Sequence, residues 1–163
     1  MSVERAKKHL ARFGADVDVL EFDVSSATVA LAAEAIGCEG ARIAKSMSFL
    51  VDGAPVLVVA AGDVKIDNQK FKAQFHTKAK MIPPEDLETL VGHAMGGVCP
   101  FGVADGVKVY MDESLRRFET VYPAAGSGNS AIELTLPQLE EYGNSAGWVD
   151  VCKSIESGAG GTA

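Results

Sequence analysis

Residues 47–61 read MSFLVDGAPVLVVAA. Two apolar runs, 47–51 and 56–61, flank Asp52-Gly53-Ala54-Pro55. That pattern predicts a β-hairpin closed by a loop longer than two residues. The second run is apolar at every position, as expected of a strand covered on both faces. The hairpin is thus the centre of the fold, and the flanking sequence must supply its cover.

Upstream, Val3, Ala6, Leu10 and Phe13 fall on one helical stripe. They predict an amphipathic helix that stops near Gly14. Residues 17–24 have strand character, and Ser25 or Ser26 is placed to cap a helix over 28–36, ended by Gly37. Downstream, 67–75 reads as a helix with Phe71 and Phe75 on its buried side. Pro83-Pro84-Glu85-Asp86 opens another helix whose apolar stripe is Leu87, Leu90, Val91 and Ala94. Residues 107–111 alternate as a strand, and Asp112 is placed to cap a short helix carrying Leu115 and Phe118. A strand over 131–134 and a Thr135/Gln138 capping box with a last helix complete the series. Helices and strands mix with no long linker and no repeat, which predicts one mixed α/β (α+β) domain.

The chain has 163 residues, 47% hydrophobic and 23% charged, with a net charge of −7. These values exclude a wholly disordered chain. No apolar run is long enough to span a bilayer as a helix. The acidic balance argues against broad neutralisation of duplex phosphate, so a nucleic-acid partner is expected at a small local site. The N-terminus lacks the features of a secretory signal. Cys38, Cys99 and Cys152 form no CxxC pair, which argues against a disulfide framework or structural zinc. A cytoplasmic protein with reduced thiols is the expectation. Histidines are scattered, so no metal site is expected. The small, glycine-rich residues 157–163 read as a frayed tail.

Three stretches can carry chemistry. Arg42 and Lys45 flank a strand start, where side chains reach a pocket or remain solvated. Gly96-Gly97-Val98-Cys99-Pro100-Phe101-Gly102 fixes an unusual backbone path, with Cys99 either a small buried hydrophobe or a thiol nucleophile. A nucleophilic Cys99 needs an adjacent base, and none of His9, His76 or His93 is visibly paired with it. Gly126-Ser127-Gly128-Asn129-Ser130 is either an oxyanion cradle or a connecting turn. It is neither a Walker loop nor a dinucleotide fingerprint, and no GxSxG elbow is present.

In series, these stretches resemble the YbaK/ProX/EbsC family, the aminoacyl-tRNA editing or prolyl-tRNA-synthetase-associated domain. The matching text is ARIAKSMSFLVDGAPVLVVAAGDVKIDNQKF, then GGVCPFG, then VYMDESLRRFETVYPAAGSGNSAIELT. The resemblance covers about residues 6–152 and implies a single editing domain over 1–152 with a flexible tail over 153–163. It implies a strongly curved, partly barrel-like mixed β-sheet packed with helices. The implied activity is hydrolysis, in trans, of the ester of a mischarged tRNA such as Cys-tRNA(Pro) or Ala-tRNA(Pro). The family's lysine falls on Lys45, its G-x-x-P-type loop on Gly97, Val98, Cys99 and Pro100, followed by Phe101 and Gly102. Its glycine–serine loop falls on Gly126, Ser127 and Ser130.

An aminoacyl ester is already activated, so such a site needs to hold the ester, orient water and stabilise the oxyanion. On this reading Lys45, Gly97, Cys99, Pro100, Gly126 and Ser127 form the catalytic set, and Arg42, Phe101, Gly102 and Ser130 contact substrate. Lys45 meets a phosphate, the ribose or the aminoacyl end of the tRNA 3′ CCA terminus, with no cofactor. An aminoacyl-tRNA synthetase is a further expected partner; DNA and membranes are not. Symmetric dimers are common enough that a homodimer is compatible. A non-catalytic tRNA-end or synthetase adaptor is the alternative of a different class, and a Cys99-dependent hydrolase is the third.

Overall fold

The computed structural model describes residues 2–14 and 18–155. In chain order the first half holds α1 (Ser2–Ala11), β1 (Leu20–Glu21), α2 (Val29–Ile36), β2 (Ile43–Val51), β3 (Ala54–Ala61) and β4 (Val64–Ile66). Then come α3 (Asn68–Phe75), α4 (Leu87–Leu90), β5 (Lys108–Asp112), β6 (Thr120–Pro123), β7 (Ser130–Ala131) and β8 (Leu134–Thr135). The chain continues through α5 (Leu136–Tyr142), β9 (Gly147–Val149) and β10 (Cys152–Ser154). Val17 of the expected strand 17–24 and residues 156–163 of the tail expected over 153–163 lie outside the described residues, while Lys153 and Ser154 of that tail pair with β4 as part of β10.

Six strands form a curled mixed sheet in the order β8-β6-β2-β3-β5-β9. Two-stranded ribbons, β1-β7 and β4-β10, complete the strand pairing. The β2–β3 hairpin is central, registered from Ala44↔Ala61 to Val51↔Ala54. This register leaves only Asp52 and Gly53 in the turn, with φ of 51° and 82°. Two consecutive positive φ values make a type I′ turn, whose twist matches the flanking strands. The connection is therefore shorter than the sequence suggests, and Ala54 and Pro55 join the strand.

β3 is buried along its apolar length, as expected, because both faces of the sheet are covered. Leu57, Val59 and Ala61 meet Phe101, Val109, Met111 and Leu134 in one layer. Val56, Val58 and Ala60 meet Phe49, Phe71 and Cys152 in the other. α3 covers that second layer, with Phe71 against Phe49 at 4.9 Å and against Phe75 at 4.7 Å between ring centroids.

Local signals account for most helix ends. Asp67 caps α3 through the N–H groups of Gln69 and Lys70, and Thr135 with Gln138 forms the expected capping box of α5. α2 is capped by Thr28, not by Ser25 or Ser26. The helix expected to run from Pro83 through Ala94 is a 3-10 turn at Pro84–Asp86 followed by the single turn of α4. The stretch 131–134 belongs to two separate strands, β7 and β8.

Candidate functional site

β2 is the wall on which the site is built. Its partner β6 pairs with it only at Ile43 and Ala44. Further along, the segment 80–82 takes over: Ile82 N–H donates to the Ser48 carbonyl (3.1 Å), and Leu50 N–H to the Lys80 carbonyl (2.9 Å). Backbone direction alternates along a strand, so the peptide groups of Ser46 face the same edge as those of Ser48. Between the two pairing partners the edge opens into a cavity of about 530 Å³.

Lys45, Ser46, Ser26, Gly96, Val98 and Ser130 all line this cavity. Its apolar wall comes from Val29, Ile43, Met47, Ile82 and Leu87, with Pro83 and Pro84 beside them. The Lys45 ammonium donates to the Val64 carbonyl, and burial lowers its pKa from the ordinary lysine value, opposed by Cys152 and Asp63. The hydroxyls of Ser26 and Ser46 are buried without a partner among the described residues. Ser26 is only 7% exposed. A buried, unpaired hydroxyl in an otherwise apolar wall is costly unless a ligand satisfies it.

The two glycine-rich loops abut. A Cβ added at Gly97 would stand 2.6 Å from the Gly126 carbonyl carbon and 2.7 Å from the Ser127 nitrogen. Only hydrogen fits there. In the second loop the Ser127 hydroxyl oxygen lies 2.8 Å from both Asn129 Oδ1 and Ser130 Oγ, so its one proton is shared between two hydrogen-bond partners. Ser26 N–H donates to the Gly128 carbonyl at 2.7 Å, which ties this loop to the start of α2. The N–H of Gly97 donates to the Ala94 carbonyl, and those of Ser127 and Asn129 donate to hydroxyls of their own loop. Gly96 and Val98, which face the cavity, have no such acceptor among the described residues.

Of the residues expected from sequence, Lys45 and Ser130 line the cavity. Gly97, Gly126 and Ser127 stand one layer behind, in the contact between loops. Arg42 is a brace: it donates to the carbonyl and hydroxyl of Thr120, pairs with Glu133 at 3.6 Å and lies over the Tyr122 ring. Phe101 is wholly buried, Pro100 packs beside Gly143, and Gly102 accepts from Arg5 on α1.

Cys99 is fully buried and does not line the cavity. Sequence shows no histidine beside it, but the fold brings His93 Nε2 to 3.6 Å. That nitrogen also lies 2.7 Å from the Phe101 carbonyl and must donate to it, so Nδ1 is left bare and unpartnered. Burial pushes the Cys99 thiol up to about 12 and lowers the His93 pKa. Both groups are therefore neutral near pH 7, the opposite of an activated thiolate–imidazolium pair. Ser26, Ser46 and the Met81–Pro84 rim escaped the sequence reading. Only the position of Ser46 next to Lys45 hinted at one of them.

The sequence and the fold coincide with a known class. The aminoacyl-tRNA editing domain model matches residues 24–142, and the chain belongs to that family. It is 52% identical to the uncharacterized protein YwhH of Bacillus subtilis (strain 168), over 96% of this chain and 100% of that one. It is 32% identical over 87 residues to a proline–tRNA ligase of Levilactobacillus brevis, covering 53% of this chain but only 15% of the ligase. A crystal structure described as a candidate trans-editing enzyme for prolyl tRNA synthetase superposes with a TM-score of 0.85. Its sequence is 27% identical, with 94% of this chain and 98% of that chain covered. Among the described residues no helix is long and apolar enough to cross a membrane.

Proposed function

We propose that this protein is a trans-editing deacylase that hydrolyses the ester of a mischarged tRNA, of the Cys-tRNA(Pro) or Ala-tRNA(Pro) type, in the cytoplasm. The observation that carries the reading is the convergence of Lys45, the Gly96–Val98 backbone and the Ser26, Ser46 and Ser130 hydroxyls on one cavity with apolar walls. Family membership and a structural relative of matching length, described as a candidate trans-editing enzyme, support it.

In this reading the 3′ adenosine and its acyl group enter the cavity. The Lys45 ammonium meets a phosphate or ribose oxygen as a compact point charge. The N–H groups of Gly96 and Val98 face the acyl carbonyl and stabilise the tetrahedral oxyanion. Water adds to the acyl carbon, the ester C–O bond breaks, and the water proton ends on the released ribose oxygen. Gly97, Gly126 and Ser127 act by holding the loops in register. The apolar wall limits side-chain size, a sieve worth ~1–3 kcal/mol per methylene. Cys99 takes no covalent part.

A deacylation panel of mischarged tRNAs tests this. Release of amino acid above the no-enzyme rate from at least one small aminoacyl-tRNA is expected. Binding of a non-hydrolysable aminoacyl-adenosine analogue with no turnover anywhere in the panel would replace the enzyme by an adaptor.

A further inference from the structure

The net charge of −7 conceals a strong local excess of the opposite sign. Five of the 15 lysines and arginines lie in residues 65–80, against the single carboxylate of Asp67. They are Lys65 on β4, Lys70 and Lys72 on α3, and Lys78 and Lys80 in the segment that follows, all exposed. β10 adds a sixth, Lys153, directly across from Lys65 in the antiparallel register. Like charges placed opposite each other in a ribbon are destabilising. Nearby carboxylates do little to cancel them. Asp63 holds Arg117, Asp150 holds Lys70, and Asp67 is occupied in capping α3. Among the described residues Lys65, Lys72, Lys78 and Lys80 make no salt bridge.

The lysine-rich segment is tied to the cavity at both ends. It begins beside Val64, whose carbonyl receives the Lys45 ammonium. It ends at Lys80, and the next residues, Met81 and Ile82, are cavity rim. A polyanion whose tip occupies the cavity therefore has a cationic path on leaving it.

We propose that the β4–α3–β10 layer, together with the segment 76–80 that follows α3, is a docking surface for the phosphate backbone of the tRNA acceptor stem, gripped through Lys65, Lys72, Lys78, Lys80 and Lys153. This rests on the deacylase reading and adds to it a second, sequence-independent contact outside the cavity. Net charge averages over faces that the fold separates, so a local cationic patch is compatible with the acidic balance of the whole chain.

The test compares full tRNA with a minimal substrate. The triple variant Lys72→Glu, Lys78→Glu, Lys80→Glu and the double variant Lys65→Gln, Lys153→Gln are assayed on alanyl-tRNA(Pro) and on alanyl-adenosine. Binding of uncharged tRNA(Pro) is measured across a salt series. The charge reversals are expected to lower kcat/KM on alanyl-tRNA at least tenfold, leave alanyl-adenosine hydrolysis within twofold, and flatten the log affinity against log salt slope by ~0.7–0.9 per lost contact. The double variant should show the same pattern, weaker. Unchanged tRNA affinity and slope would overturn the proposal, including the case where an acidic protein is captured instead. An equal fall on both substrates would also overturn it, as a structural effect. If the unaltered protein cleaves neither ester, the alanyl form of the deacylase reading fails, while the tRNA salt slope still decides the surface.

Discussion

The two glycine-rich loops share a composition and differ in what they do. Residues 96–102 turn inward: Cys99 and Phe101 are wholly buried, and Arg5 of α1 clamps Gly102 from outside. Residues 126–130 turn a polar lattice toward the site, with Ser127, Asn129 and Ser130 bonded to one another. The first loop is a plug that presents only its leading edge, Gly96 and Val98, to the cavity. The second is a frame for hydroxyls. Glycine serves close approach at Gly97, where backbone meets backbone, but Gly128 has room, with Ala27 Cβ at 3.6 Å from an added Cβ. A glycine-rich stretch is thus evidence of an unusual path, and only its neighbours reveal the purpose of that path.

The largest effect belongs to the group that both loops frame. Lys45→Ala should lower kcat/KM for deacylation by roughly 10–10²-fold, the scale for losing a hydrogen bond from a charged group to substrate. Its thermal midpoint should hold or rise, since a desolvated ammonium is removed. Burial lowers the Lys45 pKa, so the charged form is lost at a pH below the ordinary value of 10.5. Enzyme-dependent hydrolysis, after subtraction of spontaneous hydrolysis, should therefore fall on the alkaline side before a free lysine would titrate. The folding penalty of the charged form has the opposite trend and is relieved as pH rises through the same window. A flat alkaline limb with full activity in the alanine variant would leave the loops framing nothing.

Next in size is the contact between the loops. Gly97→Ala forces a methyl against the Gly126 carbonyl and should cost ~1–3 kcal/mol of stability, with activity falling alongside. Gly128→Ala should stay within about 0.5 kcal/mol, the range of an uncrowded surface change. Chemical denaturation of the pair reads the contrast directly. Equal losses would mean the two loops are equally crowded and the plug-and-frame distinction is wrong.

Much of this architecture is legible in the sequence, and the rest has identifiable causes. The continuous apolar run at 56–61, the helix beginning at about residue 67 and the caps at Asp112 and Thr135 are local signals, and each appears in the fold. β4, β6, β9 and β10 went unread because each has only three or four residues and owes its strand geometry to a distant partner. Lys45 stood out through the family resemblance, since its place at a strand start is equally that of a solvated charge. Ser26 did not, because its burial depends on the loop at Gly128, 102 positions away. His93 and Cys99 met for the same reason: their contact depends on the plug's path, not on their spacing.

Within the frame, Ser130→Ala should cost ~1 kcal/mol or somewhat more, because Ser130 is buried and its oxygen accepts from both the N–H and the hydroxyl of Ser127. Ser127→Ala removes a less buried partner and should cost less. The order of these two in thermal unfolding tests whether the lattice is anchored from the Ser130 side. The reverse order would place the anchor at Asn129, whose amide donates to the Phe22 carbonyl.

The smallest expected effect on activity sharpens the view of the first loop as a plug. Cys99→Ser should leave deacylation within about twofold, because the thiol lies outside the cavity and is protonated at working pH. In the native protein a thiol reagent at pH 8 should modify Cys38, which is partly exposed, and spare Cys99 and Cys152 until unfolding. Burial pushes both spared thiols up to about 12 from an ordinary 9.0. Their neutral forms are favoured in the folded state, so this contribution is complete below 9.0 and declines as pH rises toward 12. Native-state modification of Cys99 with loss of turnover would turn the plug into a reactive element and restore the thiol to the chemistry.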